Sequence, residues 1–401
     1  MHPFLKTDIL LPDGVSMETW SVIACDQFAS QPEYWQQAQQ LVGNAPSTLN
    51  LILPEAYLSD NNFPAIDKIN KAMADYCQQE VFRLYPACFI YVERTLLNGS
   101  VRKGVMGAVD LETYDFHPQS QSAIRATEET VAERIPPRMD IRRNAPLELP
   151  HVLLLCDDSE KQLIESLTAK KDSLPLLYDF DLMLGGGRIR GWLVSGADAE
   201  EFENQLSAYG QKMQAKYGEM AVLYAVGDGN HSLASAKGCY EENKTCENAR
   251  YALVELENIH DDAQVFEPIH RIVKNTDPHK LLATMKKVIG KEDGAPIHWQ
   301  IGQAQGTIYV HSDAGVLPVG IVQEFLDAYL ANNAGIIDYI HGEQALAQLA
   351  QATDSIGLIL PPVEKNAFFQ GIIAGGTLPR KTFSMGHAQE KRYYLEARKI
   401  K

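Results

Sequence analysis

The chain alternates apolar runs of strand length with stretches of helical period, punctuated by glycine and proline. Residues 20–24 read as a short strand closed by Cys25-Asp26-Gln27-Phe28. Residues 32–41 read as a helix with Ser30 as its candidate cap. Ile66, Ile69, Met73, Tyr76 and Cys77 recur on one helical face and predict a helix over 66–82. Runs at 88–96 and 101–111 flank Asn98-Gly99, a two-residue hairpin signal, and predict an antiparallel pair. Further on, 151–156 and 189–194 read as strands, 164–167 and 199–217 as helices, and 174–180 as extended chain. The apolar run 220–226 predicts a buried strand, followed by Gly227-Asp228-Gly229-Asn230-His231-Ser232 and a helical pattern over 233–240. Another apolar strand is predicted at 251–256.

From Asp277 the texture changes. A Lys-rich helix is predicted at 280–289, a strand pair near Trp299 and 308–311, and a helix at 319–330. A Gly-rich stretch, 371–376, leads into Thr377-Leu378-Pro379-Arg380-Lys381-Thr382, and a last strand is expected near 393–397. The expected organisation is a site-bearing α/β core over 1–276, an appended α+β subdomain over 277–375, and a C-terminal segment, 376–401, returning to the core site. The fold class is therefore α/β to α+β with a mixed sheet core. No internal repeat or low-complexity segment interrupts this pattern.

Composition adds exclusions. With 401 residues, 45% hydrophobic and 22% charged, the chain reads as a soluble globular protein of two or three domains, or one large domain with insertions. Its net charge of −16 excludes an extended nucleic-acid face. The densest basic cluster, Arg134, Arg138, Arg142 and Arg143, lies among Glu128, Glu129, Glu133 and Asp140. No apolar run approaches the ~20 residues of a membrane span, and no leader precedes the first elements, so a cytoplasmic protein without membrane partners is expected. The six cysteines form no C-x-x-C pair. Cys25, beside Asp26, and Cys239 read either as buried small hydrophobes or as redox thiols.

The turn 227–232 carries the strongest chemical signal. Glycine accepts positive φ, which lets backbone N–H groups turn toward a ligand. The helix that opens there offers unpaired N–H groups and a positive dipole end to an anion. Asp228, Asn230, His231 and Ser232 add polar groups at the same place. The plainer reading is a strand–turn–helix junction capped by Asn230 or Ser232. The turn matches neither a Walker loop nor a Gly-x-Gly-x-x-Gly fingerprint.

Other polar clusters interrupt apolar elements: Asp26, Thr127 to Thr130, His270-Arg271, and Arg380-Lys381-Thr382. If strand ends bring them together, the inventory suits phosphoryl transfer: a carboxylate base, cations on phosphate oxygens, and an Asp for magnesium. Each has a plain alternative: Glu128 and Glu129 as a solvated first turn of a short helix ended by Pro136-Pro137, His270-Arg271 as a bonded strand end, Lys381 as a surface cation. His260-Asp261-Asp262 reads as a metal site or a solvated loop, and lacks the usual ligand spacing.

In order, these motifs resemble domain-of-unknown-function family 1015. The family's Asp-Gly-His-His-Arg turn is matched by Asp228-Gly229-Asn230-His231-Ser232. Its His-Glu-Arg-Thr motif is matched by Thr127-Glu128-Glu129-Thr130, its Pro-Thr-His-Arg by Pro268-Ile269-His270-Arg271, and its closing Pro-x-Lys-Ser/Thr by Pro379-Arg380-Lys381-Thr382. An early Pro-Pro-Tyr-Asp motif is matched only through Asp26. The turn is in addition similar to the phosphate-binding turn of the ParB/sulfiredoxin superfamily, which includes kinases of free serine as well as nucleotide-binding partition proteins.

The resemblance implies a nucleotide-dependent phosphotransferase acting on a small hydroxyl metabolite such as free serine, with Mg2+ and ATP or ADP as cofactors. It implies Glu128 as base, with Asp228 and His231 completing the catalytic set and Asp228 holding magnesium. Gly227, Gly229, Asn230 and Ser232 would seat the phosphates. Arg138, His270, Arg271 and Lys381 would support them, and Asp26, Thr127 and Thr130 would complete the pocket. The alternative implied is a non-catalytic nucleotide- or phosphate-binding regulatory protein. Asn230 and Ser232 replace the family's first His and its Arg, and Thr127 replaces the His before Glu128. Losing the Arg removes a bidentate phosphate fork, for which Arg138, Arg271 or Lys381 is the candidate substitute.

Overall fold

Strand Phe82–Thr95 runs antiparallel to Val101–Asp110, with Ile90 opposite Met106 and Thr95 opposite Val101. The hairpin predicted around Asn98-Gly99 therefore forms, but with a longer tip. Pairing stops at Thr95–Val101, Leu96 N–H donates to the Ser100 carbonyl, and Asn98 Oδ1 accepts from Ser100 N–H at 2.9 Å. Gly99 takes φ +83° inside that tip. The side-chain bond of Asn98, not a two-residue turn, sets the bend.

The computed structural model describes residues 2–59, 61–128, 130, 135–311, 317–379 and 381–401. The chain divides into two compact units, one made of 1–126, 130–264 and 387–401, the other of 127–129 and 265–386.

In the first unit an 11-stranded mixed sheet has the hairpin at its centre. Nine of its strands run in the order Leu176–Asp181, Arg188–Val194, Phe82–Thr95, Val101–Asp110, Tyr251–Asn258, Leu153–Cys156, Tyr224–Asp228, Ile124–Ala126 and Tyr114–Asp115, while Phe4–Leu5 pairs with Val101–Asp110 and Thr7–Pro12 with Phe82–Thr95. Leu153–Cys156 is parallel to Tyr251–Asn258 and antiparallel to Tyr224–Asp228. The two-residue period of a strand sends alternate side chains to opposite faces. Phe89, Tyr91, Leu154, Val254 and Leu256 pack with Phe202 and Leu206 of helix Gly196–Tyr217. Cys88, Ile90, Val92 and Leu253 join Trp35 of helix Pro32–Val42 and Tyr393 and Tyr394 of the C-terminal segment. Both faces are covered, which is why these strands read as nearly continuous apolar runs.

A buried ionic group accompanies this packing. Arg392 pairs with Glu255 at 3.0 Å and with Glu396, Arg102 pairs with Glu257 at 2.9 Å, and Tyr178 donates to Glu396. The last residues of the chain are thus tied to the sheet by charge, and Tyr393–Tyr394 pairs with Val22–Ile23 in a separate two-stranded sheet.

The second unit is built on a six-stranded sheet. Its path is Ala304–Val310, Gly290–Ile301, Ile356–Ile359, Phe266–Lys274 and Ile336–His341, with Phe383–Met385 pairing the start of Phe266–Lys274. Helices Pro278–Val288 and Pro318–Leu330 bury Leu281, Met285, Val322 and Leu326.

Several elements differ from the sequence expectation. Trp20 ends a short helix, Met17–Trp20, and only Val22–Ile23 is strand. Pro136-Pro137 lie at the start of helix Ile135–Arg143 rather than ending one. Proline has no N–H to lose in a first turn, and its fixed φ suits that position. Glu128 is in a parallel bridge with Leu378, not in a helix. Glu129, Glu133, Arg134 and Arg380 lie outside the described residues. His270 and Arg271 sit within strand Phe266–Lys274, not at its end. Among the described residues, no helix is long and apolar enough to cross a membrane.

Candidate functional site

Strand Tyr224–Asp228 places Asp228 at its C-terminal end, and helix Asn230–Glu242 begins two residues later. Gly229 makes that change of direction at φ +79° and is itself the helix N-cap. A Cβ there would stand 3.0 Å from Val152 Cγ2 and 3.1 Å from Val152 Cα. Only glycine meets both conditions. Gly227 is extended within the strand, so one of the two glycines carries the turn. The helix is anchored further along by Lys237 Nζ on the Leu111 carbonyl and by Tyr240 on Glu112.

Neither Asn230 nor Ser232 is the cap. Ser232 Oγ instead lies 3.0 Å from His151 Nε2. His151 Nδ1 is 2.7 Å from the Tyr394 hydroxyl, and Tyr394 in turn donates to Cys25 Sγ at 3.1 Å. Ser232, His151, Tyr394 and Cys25 thus form one connected chain of hydrogen-bonding groups. Asn230 and His231 are half-buried at the head of the helix, and the His231 carbonyl accepts from Ser235 Oγ at 2.7 Å.

Asp228 is partly exposed and forms an ion pair with Lys391 at 3.1 Å, their side chains 21% and 13% exposed. Its other oxygen accepts from Gly229 N–H at 3.0 Å. Burial pushes the Asp228 carboxyl upward, but Lys391, His151 and the Gly229 N–H together hold it below the usual range. Lys391 is held through its backbone. Arg94 donates to the carbonyls of Lys391 and Gln389 at 2.5 and 2.6 Å, and Arg102 donates to that of Glu390 at 2.9 Å.

The remaining predicted residues fall into two groups. Asp26, Thr130 and Arg138 belong to the same unit as the turn; Thr127, Glu128, His270, Arg271 and Lys381 belong to the other. Arg138 forms an ion pair with Glu55, and Gln27 donates to Asp26 at 3.1 Å. In the second unit Lys381 N–H donates to Glu128 Oε1 at 3.1 Å. Arg271 is wholly buried, and it donates to Gln323 at 2.8 Å and to the carbonyls of Ile269 and Lys381 at 2.7 and 2.9 Å. Its guanidinium stacks over Tyr339 at 4.6 Å. Burial lowers the His270 pKa, and its Nδ1 accepts from Leu360 N–H, so it is a neutral ring. Lys381 stands at φ +58°, exposed.

His260 pairs with the buried Asp157 at 2.7 Å, which accounts for it without a metal. Among the described residues no group of three or more His, Cys, Asp or Glu is placed to hold a metal ion. Burial, then Asp26, pushes the Cys25 thiol up to about 11, and burial raises that of Cys239. Both are therefore neutral thiols, unlike the low-pKa cysteines of redox sites.

Sequence reasoning missed His151, Tyr394 and Lys391. Each lies in or beside a segment recognised as structural, and each meets the turn across a wide sequence separation.

A family model for proteins of unknown function, DUF1015, matches residues 9–400. No curated protein matches the chain. Among solved structures the chain is similar to a free serine kinase in complex with AMP, at TM-score 0.36 and 12% identity over 73% of this chain and 90% of that one. It is also similar to SbnI with a C-terminal truncation from Staphylococcus aureus, at TM-score 0.37 and 11% identity over 70% and 82%. A third is a conserved hypothetical protein from Pyrococcus furiosus, at TM-score 0.35 and 12% identity over 73% and 94%.

Proposed function

The chain belongs to the DUF1015 family, and from that premise we propose that it is a nucleotide-dependent phosphotransferase for a small hydroxyl metabolite. The 227–232 turn is its phosphate seat. One observation carries the reading: a glycine-only left-handed residue opens a 13-residue helix beside an Asp228–Lys391 pair. A helix N-terminus and a nearby ammonium both favour phosphate oxygens.

Magnesium has a weak case at this turn. Asp228 is the carboxylate there, and its oxygens already receive Lys391 and the Gly229 N–H. Mg2+ usually takes one or two carboxylates together with phosphates and waters. We therefore assign the charge-neutralising role to Lys391, in the place the resemblance gave to a metal. Among the supporting cations, Lys381 is the exposed one, while Arg271 fixes the Lys381 carbonyl. Glu128 is kept as the resemblance's base, and free serine is the first acceptor to assay.

A second reading, nucleotide or phosphate binding without catalysis, is favoured by Ser232. It replaces the family's Arg and is bonded to His151. The test is a thermal-shift and calorimetric screen against ATP, ADP, CTP, GTP and pyrophosphate, with and without magnesium. Binding of one nucleotide, lost in Asp228→Ala, is expected. Absence of any response sinks both readings. Product formation that stops in Glu128→Gln while binding persists selects the enzyme; binding without product selects the second reading.

A further inference from the structure

Beside the turn, a cavity of about 150 Å³ lies among helix Ile135–Arg143, the start of helix Asn230–Glu242, and Val152, Ala252 and Leu253. Its body is apolar, lined by Leu51, Leu53, Met73, Ile141 and Leu147. The Ser232–His151–Tyr394–Cys25 chain also contributes to its wall. The charged groups that reach the cavity are matched with carboxylates or guanidiniums of the protein. Arg142 pairs with Glu148 at 2.6 Å, Glu148 also faces Arg398 at 2.5 Å, and Arg138 pairs with Glu55.

The polar wall is one connected hydrogen-bonded chain. Tyr394 meets both Cys25 Sγ and His151 Nδ1, and Ser232 Oγ meets His151 Nε2. Ser232 Oγ carries one proton and two lone pairs, so a hydroxyl, which itself both donates and accepts, pairs with it in either tautomer of His151. An ammonium donor would lose its hydration without gaining an unmatched carboxylate. A hydroxyl pairs with Ser232 without bringing charge. An apolar cavity of this volume holds benzene, which sets the ligand at about six to eight non-hydrogen atoms.

We propose that this cavity is a binding site for a small uncharged hydroxyl compound with an apolar body, its hydroxyl hydrogen-bonded to Ser232 Oγ. The proposal goes beyond the phosphate reading and does not depend on it.

The experiment titrates the full chain, without nucleotide, with phenol, benzene and benzoate, followed by calorimetry and saturation-transfer NMR. Phenol should bind saturably at one site, about tenfold tighter than benzene, the difference expected of one hydrogen bond. Benzoate should not bind. Ser232→Ala should reduce phenol to the affinity of benzene, and Ala236→Leu, which fills the cavity, should abolish both. If circular dichroism shows Ala236→Leu unfolded, nuclear Overhauser contacts from phenol to the Met73 and Leu253 methyls decide the location. Absence of saturable phenol binding, equal affinity for benzene, or binding elsewhere overturns the proposal. Nucleotide response is read separately through Asp228→Ala, so its failure leaves the cavity result standing.

Discussion

The turn at 227–232 and the His270-Arg271 pair carry the same kind of motif signal, yet their side chains are in opposite states. At the turn, Asp228 and Lys391 form a partly exposed pair, and the helix behind them begins at a glycine. In the second unit, Arg271 is wholly buried and donates to one side-chain oxygen and two carbonyls, and His270 is a neutral ring bonded to backbone. A motif identifies residue types that matter; burial and donor use decide whether they matter to a ligand or to the fold.

The contrast can be broken most forcefully at Arg271. Arg271→Met should cost about 3 kcal/mol or more, because it leaves several buried acceptors without donors. Urea denaturation measures this, and a near-neutral result would return Arg271 to the ligand side. Gly229→Ala comes next, at about 1–3 kcal/mol for forcing a side chain into left-handed backbone, with its Cβ 3.0 Å from Val152. It should also suppress the nucleotide response in thermal shift.

Lys391→Met should act through pH. Asp228 is held below the usual carboxylate range by Lys391 and His151 against the opposing effect of burial. A lowered folded pKa contributes stability that is present above the unfolded value, near pH 4, and is lost as pH falls through the folded value. Removing the ammonium raises the folded value and narrows its gap from the unfolded one, so Lys391→Met should be less stable at neutral pH and lose less on acidification than the parent. Urea midpoints across an acid series check the sign. The smallest effect is expected at Cys25, whose thiol is pushed up to about 11. Thiol-reagent labelling should be slow at neutral pH and should quicken as pH rises. Rapid neutral labelling would revive the redox reading.

Much of the first unit was legible in local pattern. The 88–96 and 101–111 runs, the long helix before the turn and the strand at 251–256 appear close to their expected places. Boundaries failed where a side chain overrode the pattern, as Asn98 does in the hairpin tip. Pro136-Pro137 was misjudged in direction, since proline both ends helices and begins them. The texture change at Asp277 trails the start of the second unit at Val265, because Phe266–Lys274 is as apolar as the strands before it. At the site, Asp228 and Gly229 stood out because their spacing is local. Lys391, His151 and Tyr394 did not, because an isolated Lys, His or Tyr carries no periodicity and their meeting is a product of topology.

That topology also fixes an order of events. The turn and the cation beside it belong to one unit, but all of 265–386 lies between them in the chain. At synthesis rates of about 5–20 residues per second, the ribosome delivers Asp228 roughly 8–30 s before Lys391. During that interval the nascent first unit lacks Tyr394, the hydroxyl that orients His151, and Arg392, the partner of Glu255. The protein therefore makes the 227–232 turn early, and the groups that pair with Asp228 and bond to His151 arrive last.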